Sequence, residues 1–260
     1  MVFYKFDGAG NDFVVVDNRE VGRTFGVEEV SRICHRRYGV GADGFMTLDR
    51  AGEGYDFEMV YYNSDGRVGS MCGNGGRCIA AFAFLLGLGE RLRFLGCDGP
   101  HWAEVEEWDA ERRRGIVELG MRDVAEGGIS RCLDGWFVDT GSPHYVQYVD
   151  DLECYDVVGE GRRIRNMREV FPQGTNVDFV EELADGRLSV RTYERGVEDE
   201  TWACGTGVTA CALVSGKNDL VTRGGNFHVG FVKNGTGYGD VRLTGPVSLN
   251  FTGEWTFSAQ

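Results

Sequence analysis

The sequence is poor in proline and histidine, with four of each among its 260 residues, and it contains no long apolar run. The apolar stretch from Ile79 to Leu88 has only about half the length of a membrane-spanning helix. The N-terminal segment MVFYKFDGAGNDF places Lys5 and Asp7 close together and lacks the apolar core of a secretory signal. These absences argue against a membrane partner and lead us to expect a cytoplasmic protein.

Basic residues are outnumbered by acidic ones, 27 against 41, which gives a formal net charge of -14. The short run Arg112-Arg113-Arg114 is no phosphate-binding surface, so we expect no nucleic-acid partner. Eight cysteines could form disulfides, but a chain of this length does not need a disulfide scaffold. We therefore expect a reduced protein.

Two motifs resemble cofactor or metal sites without the context that such sites need. Residues 39–44 fit the dinucleotide fingerprint G-x-G-x-x-G, yet a helical pattern precedes them and the strand-like FMTLD follows. The fingerprint requires a strand before and a helix after. Cys72 and Cys78 are separated by a five-residue spacer, and no histidine cluster completes a zinc site. We expect neither a nucleotide cofactor nor a metal.

Alternating and β-rich segments outnumber helical patterns. The predicted strands cover residues 12–17, 55–62, 115–119, 136–140, 176–180, 188–193, 227–233 and 247–251. The predicted helices cover residues 27–38, 75–86, 167–171 and 206–215. This balance indicates an α+β protein rich in antiparallel strands.

Four blocks of sequence recur in the same order in both halves of the chain, at an offset of about 131 to 134 residues. GAGNDFVVVD, GVGADGF, YYNSDG and CGNGGRCIAA correspond to TGSPHYVQYVDD, QGTNVDF, TYERGV and CGTGVTACAL. We predict two homologous strand-rich domains, each around a helix, related by a pseudo-two-fold axis with the active site in the cleft between them. The predicted bounds are 1–120 and 121–249, with 250–260 as a hypothetical addition to the first domain.

The most informative segments are Met71-Cys72-Gly73-Asn74-Gly75 and, 132 positions later, Ala203-Cys204-Gly205-Thr206-Gly207. Each places a cysteine before a Gly-x-Gly turn and a segment that could continue as a helix. The unpaired N–H groups and the dipole of a helix N-terminus lower the pKa of a thiol, so a thiolate is expected near neutral pH. A thiolate on one face of a carbon can remove a proton while a thiol on the opposite face delivers another. Cys72 and Cys204 are therefore predicted to invert a stereocentre together.

The same turns could bind the charge that such a reaction creates. A carbanion beside a carboxylate spreads its charge onto the carboxylate oxygens, and two helix N-termini would clamp them. The glycines of both turns are expected to let the backbone come close and take unusual dihedral angles. Base, acid and charge stabilisation would then all come from one repeated turn.

These residues resemble the diaminopimelate epimerase family. FDGAGNDFVVVDN, GADG, NSDG with MCGNGGRC, GSPH, GTNVDFV and YERGVEDETWACGTG carry the resemblance, in order, from residue 3 to about residue 215. It implies interconversion of LL- and meso-diaminopimelate, in lysine and peptidoglycan-precursor biosynthesis, without pyridoxal phosphate or metal. It also implies substrate contacts by the side chains of Asn11, Asn63, Asn176, Glu194 and Arg195 and by the backbone amides of Gly73, Asn74, Gly205 and Thr206. His144 is placed by the resemblance in a motif that supports the site.

Two positions depart from the pattern of the family. The family commonly has Gly-Asn-Pro-His where this chain has Gly141-Ser142-Pro143-His144. A contact usually made by an asparagine amide must come from the Ser142 hydroxyl or from water, or is absent. Some members have glutamine at the position of Gly44, which has no side chain to offer. Neither departure touches the cysteine chemistry.

Several alternatives stay open. The same two-cysteine mechanism could act on another amino acid, as in proline racemase-like enzymes, although MCGNG rather than MCGHG favours diaminopimelate. A binding protein without chemistry, or a redox or zinc-dependent interaction module, are candidates from other classes. Taken singly, Asn11 and Asn63 could shape turns, and Glu194 and Arg195 could be a surface ion pair. The expected partner is a small-molecule amino acid, and a homodimer stays open.

Overall fold

The structure is a computed structural model that describes residues 1–69 and 72–257. Its strands in these ranges are β1 (Val2–Gly8), β2 (Asn11–Asp17), β3 (Gly44–Asp49), β4 (Phe57–Asn63), β5 (Arg91–Gly96), β6 (Gly99–Asp109), β7 (Arg114–Gly120), β8 (Ile129–Cys132), β9 (Gly135–Asp139), β10 (Pro143–Tyr148), β11 (Asn176–Glu182), β12 (Leu188–Glu194), β13 (Asp199–Thr201), β14 (Asp219–Thr222), β15 (Gly225–Asn234) and β16 (Gly237–Glu254). Its α-helices are α1 (Val27–Cys34), α2 (Gly73–Leu85), α3 (Val157–Arg165) and α4 (Gly205–Ser215). The predicted strand-rich α+β class is confirmed. No helix in the described ranges is long and apolar enough to cross a membrane.

The chain forms two compact units. The first unit comprises residues 1–119 and the chain from Pro246 onward, and the second comprises Gly120–Gly245. The long strand β16 passes from the second unit into the first. That these units are two homologous domains stays a prediction, as does the cleft with its pseudo-two-fold axis. Residues 258–260 of the hypothetical C-terminal addition lie outside the described residues.

In the first unit, strands surround one buried helix. The strand order is β1-β2-β3-β4-β5-β6-β7-β16, and β16 also pairs with β1, so the strands form a closed ring. Helix α2 packs against β1, β2, β3 and β6 and is buried from Gly73 to Ala83. Its first eleven residues are mostly glycine, alanine and apolar residues, the composition of a helix with no solvent-facing side. This helix carries Cys72 at its start.

The second unit repeats the succession of strand pairings around α4. In the first unit β2 and β3 are parallel, β3 and β4 antiparallel, and β4 and β5 parallel. In the second unit β10 and β11 are parallel, β11 and β12 antiparallel, and β12 and β14 parallel. Helix α4 packs against β9, β10, β11, β12, β14 and β15. The repeated order supports the duplication inferred from the four sequence blocks.

In each unit, one apolar cluster packs under a surface helix. In the first unit Val30 and Ile33 of α1 pack with Phe25 and Phe45, and in the second α3 packs on a cluster that includes Phe171. Each fully buried side chain of this size stabilises the folded state by about 1.5–3 kcal/mol relative to an exposed one. The clusters hold the outer helices against the strands that carry the site.

Two helix predictions need correction. The helix predicted for residues 27–38 ends at Cys34, because Nδ1 of His35 accepts the backbone N–H groups of Arg37 and Tyr38 at 3.1 and 3.2 Å. The helix predicted for residues 167–171 is only a turn, since Pro172 disfavours helical backbone in the residue before it. Helix α3 was not predicted from the sequence.

Candidate active site

Cys72 and Cys204 are each the N-cap residue of a buried helix. Cys72 has φ -107° and ψ 130° before α2, and Cys204 has φ -116° and ψ 113° before α4. The carbonyl oxygens accept the first intrahelical hydrogen bonds, from the N–H of Gly76 at 2.7 Å and of Val208 at 2.8 Å. The predicted location of both cysteines at helix N-termini is confirmed. Met71, the residue before Cys72 in the predicted motif, lies outside the described residues.

The glycines of the two segments act differently from the prediction. They form the first turn of each helix, and none of the four has a positive φ, so the expected turn with unusual dihedral angles is wrong. Close packing limits the side chain at two of them, most severely at Gly207. A Cβ atom at Gly207 would lie 2.5 Å from Oδ1 of Asp178, and one at Gly75 would lie 3.1 Å from Sδ of Met46. A side chain at position 207 would therefore displace the helix or its neighbour.

The environment of Cys204 favours the protonated thiol. Burial raises its pKa well above the ordinary value, and the negative charges of Glu194 and Asp178 raise it further. A hydrogen bond from the Gly207 backbone lowers the pKa, but it is a smaller influence. Cys204 is thus favoured as the thiol of the predicted thiolate and thiol pair, because loss of solvent outweighs the helix N-terminus.

Asn11 connects the start of β2 to the cysteine of the first unit. Its Oδ1 lies 3.6 Å from Sγ of Cys72 and 3.5 Å from Nδ2 of Asn74, and its Nδ2 donates to Oδ2 of Asp43 at 2.8 Å. The carboxylate of Asp43 can only accept, so the Asn11 amide is oriented with its oxygen towards the thiol. Asn11 therefore offers the thiol of Cys72 an acceptor.

Arg77 holds the first turn of α2 from inside the unit. Its side chain is completely buried and donates to the carbonyl oxygen of Gly73 at 3.2 Å and to Oδ1 of Asn74 at 2.9 Å. Burial lowers its pKa to about 10, so it remains a cation at neutral pH. The sequence reasoning missed this residue, although its spacing of three and four from Asn74 and Gly73 places it over them on the helix.

Asn63 and Gly44 lie at the same end of the β3–β4 pair. Asn63 ends β4, is exposed, and donates from its side chain to the carbonyl oxygen of Arg67 at 3.5 Å within a backbone turn. The structure therefore shows the turn-forming role and leaves the substrate contact a prediction. At Gly44, a Cβ atom would lie 2.5 Å from Cε2 of Tyr61. The ring of Tyr61 thus fills the space that a longer residue at position 44 would need.

In the second unit, hydrogen bonds link Cys204 to a buried histidine. Sγ of Cys204 lies 3.4 Å from Oγ1 of Thr206, and that hydroxyl lies 2.9 Å from Nε2 of His144. Nδ1 of His144 lies 2.7 Å from Oδ2 of Asp178, and both of these side chains are completely buried. The structure therefore brings together Cys204, Thr206 and His144, which the sequence named, and Asp178, which it did not.

Asn176 forms hydrogen bonds with two further predicted site residues, Ser142 and Arg195. Its Nδ2 donates to Oγ of Ser142 at 2.8 Å and to the carbonyl oxygen of Pro143 at 2.9 Å, and its Oδ1 accepts the backbone N–H of Arg195 at 2.8 Å. Glu194 ends β12 just before this contact. The guanidinium of Arg195 reaches the carbonyl oxygen of Gln173 at 3.4 Å. The side chain of Asn176, at the start of β11, thus connects the start of β10 with the residue that follows β12.

Thr140 is a third residue, after Arg77 and Asp178, that the sequence reasoning missed. It is buried directly after the last residue of β9, and its hydroxyl donates to the carbonyl oxygen of Thr206 at 2.9 Å. The hydroxyl of Thr209 bonds the carbonyl oxygen of Gly205 in the same way. These bonds fix the first turn of α4, whose N–H groups have no acceptor inside the helix. Each unit therefore combines a thiol with a helix N-terminus suited to an anion.

The fold is of the type found in proline racemase-like proteins. The structure is similar to that of a probable proline racemase from Agrobacterium radiobacter K84, with a TM-score of 0.71 and 14% sequence identity, over 99% of this chain and 93% of that chain. At this identity the likeness concerns the fold alone.

Sequence relatives give the family. The family model described as diaminopimelate epimerase matches residues 3–120 and 136–236. The chain is 47% identical over 218 residues to a diaminopimelate epimerase of Chlorobaculum tepidum, covering 83% of each chain. It is 40% identical over 262 residues to that of Flavobacterium psychrophilum, covering 96% of this chain and 98% of the relative. The chain belongs to the diaminopimelate epimerase family and is an isomerase, which confirms the resemblance found in the sequence motifs.

Proposed function

We propose that the protein interconverts LL- and meso-diaminopimelate by two-base proton transfer at the α-carbon, with Cys72 and Cys204 as the acid/base pair. Membership of the family supports the substrate. The observation that carries the mechanism is the N-cap position of both cysteines, with nearly the same backbone conformation in two units of repeated topology. Each thiol has the same relation to a helix N-terminus, as a pair of bases that exchange roles would require.

The proton steps follow from the state of Cys204. Because burial raises its pKa, Cys204 carries its proton in the resting protein and acts as the acid. Cys72 reacts as the thiolate, after its own thiol proton has passed to solvent, and it takes the α-proton of one isomer, so that a C–H bond breaks and an S–H bond forms. The proton of Cys204 then reaches the opposite face of the same carbon. The protein is left with a Cys72 thiol and a Cys204 thiolate, the state that processes the product isomer in reverse.

The helix N-termini supply charge stabilisation. We assign the reacting carboxylate to the backbone N–H groups of Gly73, Asn74, Gly205 and Thr206. Charge that develops on the carboxylate oxygens is stabilised by donors that are already oriented, a contribution that can be the largest single one in such reactions. The remaining polar ends of the substrate are assigned to Asn11, Asn63, Asn176, Glu194 and Arg195, with His144 and Ser142 as supporting residues.

Location and partners belong to the same proposal. All eight cysteines are free thiols in the described residues, a state that the cytoplasm maintains, so we place the protein there. The partner is a small-molecule amino acid, and the reaction as written uses no cofactor. A homodimer is compatible with the proposal and is not needed for any step of it.

Incubation in D2O tests the proposed substrate. LL- and meso-diaminopimelate are supplied separately, and the products are resolved by chiral chromatography with mass detection. Either isomer should yield the same mixture of both, with deuterium at the α-carbon of the inverted centre. L-proline and hydroxyproline serve as comparison substrates. Absence of inversion and of deuterium uptake with both diaminopimelate isomers would refute the proposal, and inversion of proline alone would replace the substrate.

A further inference from the structure

The proton transfers described above make no use of Asp178. Its carboxylate is completely buried, and each oxygen accepts one hydrogen bond, Oδ2 from the ring of His144 and Oδ1 from the hydroxyl of Thr192, both at 2.7 Å. A carboxylate removed from water is costly unless such bonds compensate it. The bonds to His144 and Thr192 offset this cost and hold the carboxylate in one place, where it can act on the histidine.

Strand register brings these residues together. Strands β10 and β11 are parallel with His144 opposite Asn176, and Asp178 follows Asn176 by two positions on the same face of β11. Strand β12 lies antiparallel on the other side of β11 and places Thr192 opposite Asp178. The arrangement belongs to the central strands of the unit, so its geometry is fixed by the fold.

The start of α4 is pressed against the same pair. A Cβ atom on Gly207 would lie 2.5 Å from Oδ1 of Asp178 and 3.2 Å from Cε1 of His144. Nε2 of His144 points to the hydroxyl of Thr206 in the same helical turn, at 2.9 Å. The ring of His144 therefore contacts the first turn of α4 directly, and the position of its protons determines which hydrogen bond it can make with Thr206.

We propose that Asp178 is a positioning residue that fixes the tautomer of His144. A carboxylate only accepts hydrogen bonds, so Nδ1 of the ring must carry a proton towards Asp178. In the neutral ring Nε2 is then an acceptor, and the hydroxyl of Thr206 donates to it. The oxygen of Thr206 is left with lone pairs for the thiol of Cys204, which lies 3.4 Å away.

The direction of these hydrogen bonds matters for the proposed function. The inference rests on that function only in taking Cys204 as the acid. A Thr206 oxygen that accepts from Cys204 favours the protonated thiol, which is the acid of the resting protein. With the opposite tautomer, Nε2 would carry the proton and donate to Thr206, whose hydroxyl hydrogen would then point towards Cys204. By fixing the tautomer of His144, Asp178 thus determines whether Thr206 stabilises the thiol or the thiolate of Cys204.

Nitrogen-15 NMR of histidine-labelled protein tests the tautomer directly. The chain has four histidines, and loss of one ring in His144→Gln identifies the resonances of His144. At about pH 8 we expect a protonated Nδ1 and a bare Nε2 at His144. His35 is an internal reference of opposite type, because its Nδ1 accepts two backbone N–H groups. A proton on Nε2 of His144 at this pH would overturn the inference.

Two substitutions, one of Asp178 and one of its hydrogen-bond partner Thr192, separate a positioning role from a structural role. Asp178→Asn keeps the shape but removes the charge that dictates the tautomer, and Thr192→Val removes the other hydrogen bond of equal length. We expect Asp178→Asn to lose the single tautomer of His144 and to lower kcat at least about a hundredfold, with a smaller change in KM. Thr192→Val should keep the tautomer and stay within about fivefold of wild-type kcat.

The outcomes distinguish the inference from the proposed function. Equal losses of kcat in both variants with an unchanged tautomer would show a structural role and overturn the inference. A wild-type protein with the expected tautomer but without activity on diaminopimelate would refute the proposed function and leave the assignment of Asp178 intact. If Asp178→Asn does not fold, the wild-type spectrum alone decides.

Discussion

The side-chain amide of Asn176 donates a hydrogen bond to the hydroxyl of Ser142 at 2.8 Å. Ser142 stands where the family commonly has asparagine, and its hydroxyl anchors another predicted site residue. Asn176 in turn accepts the backbone N–H of Arg195 at 2.8 Å. The serine at position 142 therefore belongs to the hydrogen-bond network of the second unit. We expect it to influence substrate binding by holding the side chain of Asn176 in place.

Removal of this hydroxyl should weaken substrate binding moderately. Ser142→Ala leaves Nδ2 of Asn176 with the Pro143 carbonyl as its acceptor at this end. Loss of one neutral hydrogen bond costs about 1 kcal/mol, which is roughly a fivefold rise in KM. Ser130→Ala, on the exposed face of β8, is the matched control and should leave KM unchanged. An unaltered KM in Ser142→Ala would show that the contact does not influence the site.

Buried thiols should make the protein less stable in alkali. Burial raises the pKa of Cys211 well above the ordinary value, so the folded state keeps a proton that the unfolded chain loses above about pH 8.5. This contribution to stability is fully present below the unfolded pKa and is lost as the pH rises above it towards the folded pKa. The loss per thiol is about 1.4 kcal/mol per pH unit.

Urea denaturation at several alkaline pH values measures this loss. Cys211→Ala should flatten the fall of the free energy of unfolding by the contribution of one thiol, whereas Cys97→Ala, at an exposed cysteine, should not. A slope that both variants leave unchanged would mean that Cys211 ionises in the folded protein.

Position 207 should tolerate no side chain, unlike its counterpart in the other helix. Gly207→Ala places a methyl group against the carboxylate of Asp178, and we expect a net loss of about 1–3 kcal/mol in the free energy of unfolding. Gly75→Ala meets the flexible end of Met46, and the higher helix propensity of alanine should offset the contact. Thermal and urea denaturation of both variants checks the contrast. Equal stability of the two variants would contradict the close approach at Gly207.

The ring of Tyr61 should explain why position 44 is glycine. Gly44→Ala should lose about 1–3 kcal/mol of unfolding free energy, because the new methyl group overlaps the ring. Tyr61→Ala opens the space, so the double variant should lose less than the sum of the single losses. Gly52→Ala is the control, since a Cβ atom there meets nothing within 4 Å. Additive losses would argue against the overlap.

The sequence predicted what short-range patterns determine. The cysteines at the two helix starts followed from a local motif and from the repeated blocks, and the strand-rich class followed from alternation. Helix α3 was missed because Gly159 and Gly161 lower its helix propensity. Packing overrides propensity there, since a Cβ atom at Gly161 would lie 2.4 Å from Cβ of Tyr193.

Long-range pairing and burial account for what the sequence did not show. The contact of His144 with Asp178 joins residues 34 positions apart and depends on the register of β10 and β11. The pKa of Cys204 depends on how completely water is excluded around it, so a motif that predicts a helix N-terminus cannot give its direction. Strand alternation could have pointed to Asp178, two residues after Asn176 in the same strand.

Exchange of the α-proton measured beside inversion, in wild-type protein and in Cys72→Ala and Cys204→Ala, tests the two-base account most directly. Each isomer of diaminopimelate is supplied in D2O, and Cys97→Ala serves as the control. Both single variants should lose inversion by at least about a hundredfold. Cys204→Ala should still exchange the α-proton of the isomer that Cys72 deprotonates, and the control should match the wild type. Near-wild-type inversion by either Cys72→Ala or Cys204→Ala would contradict the account.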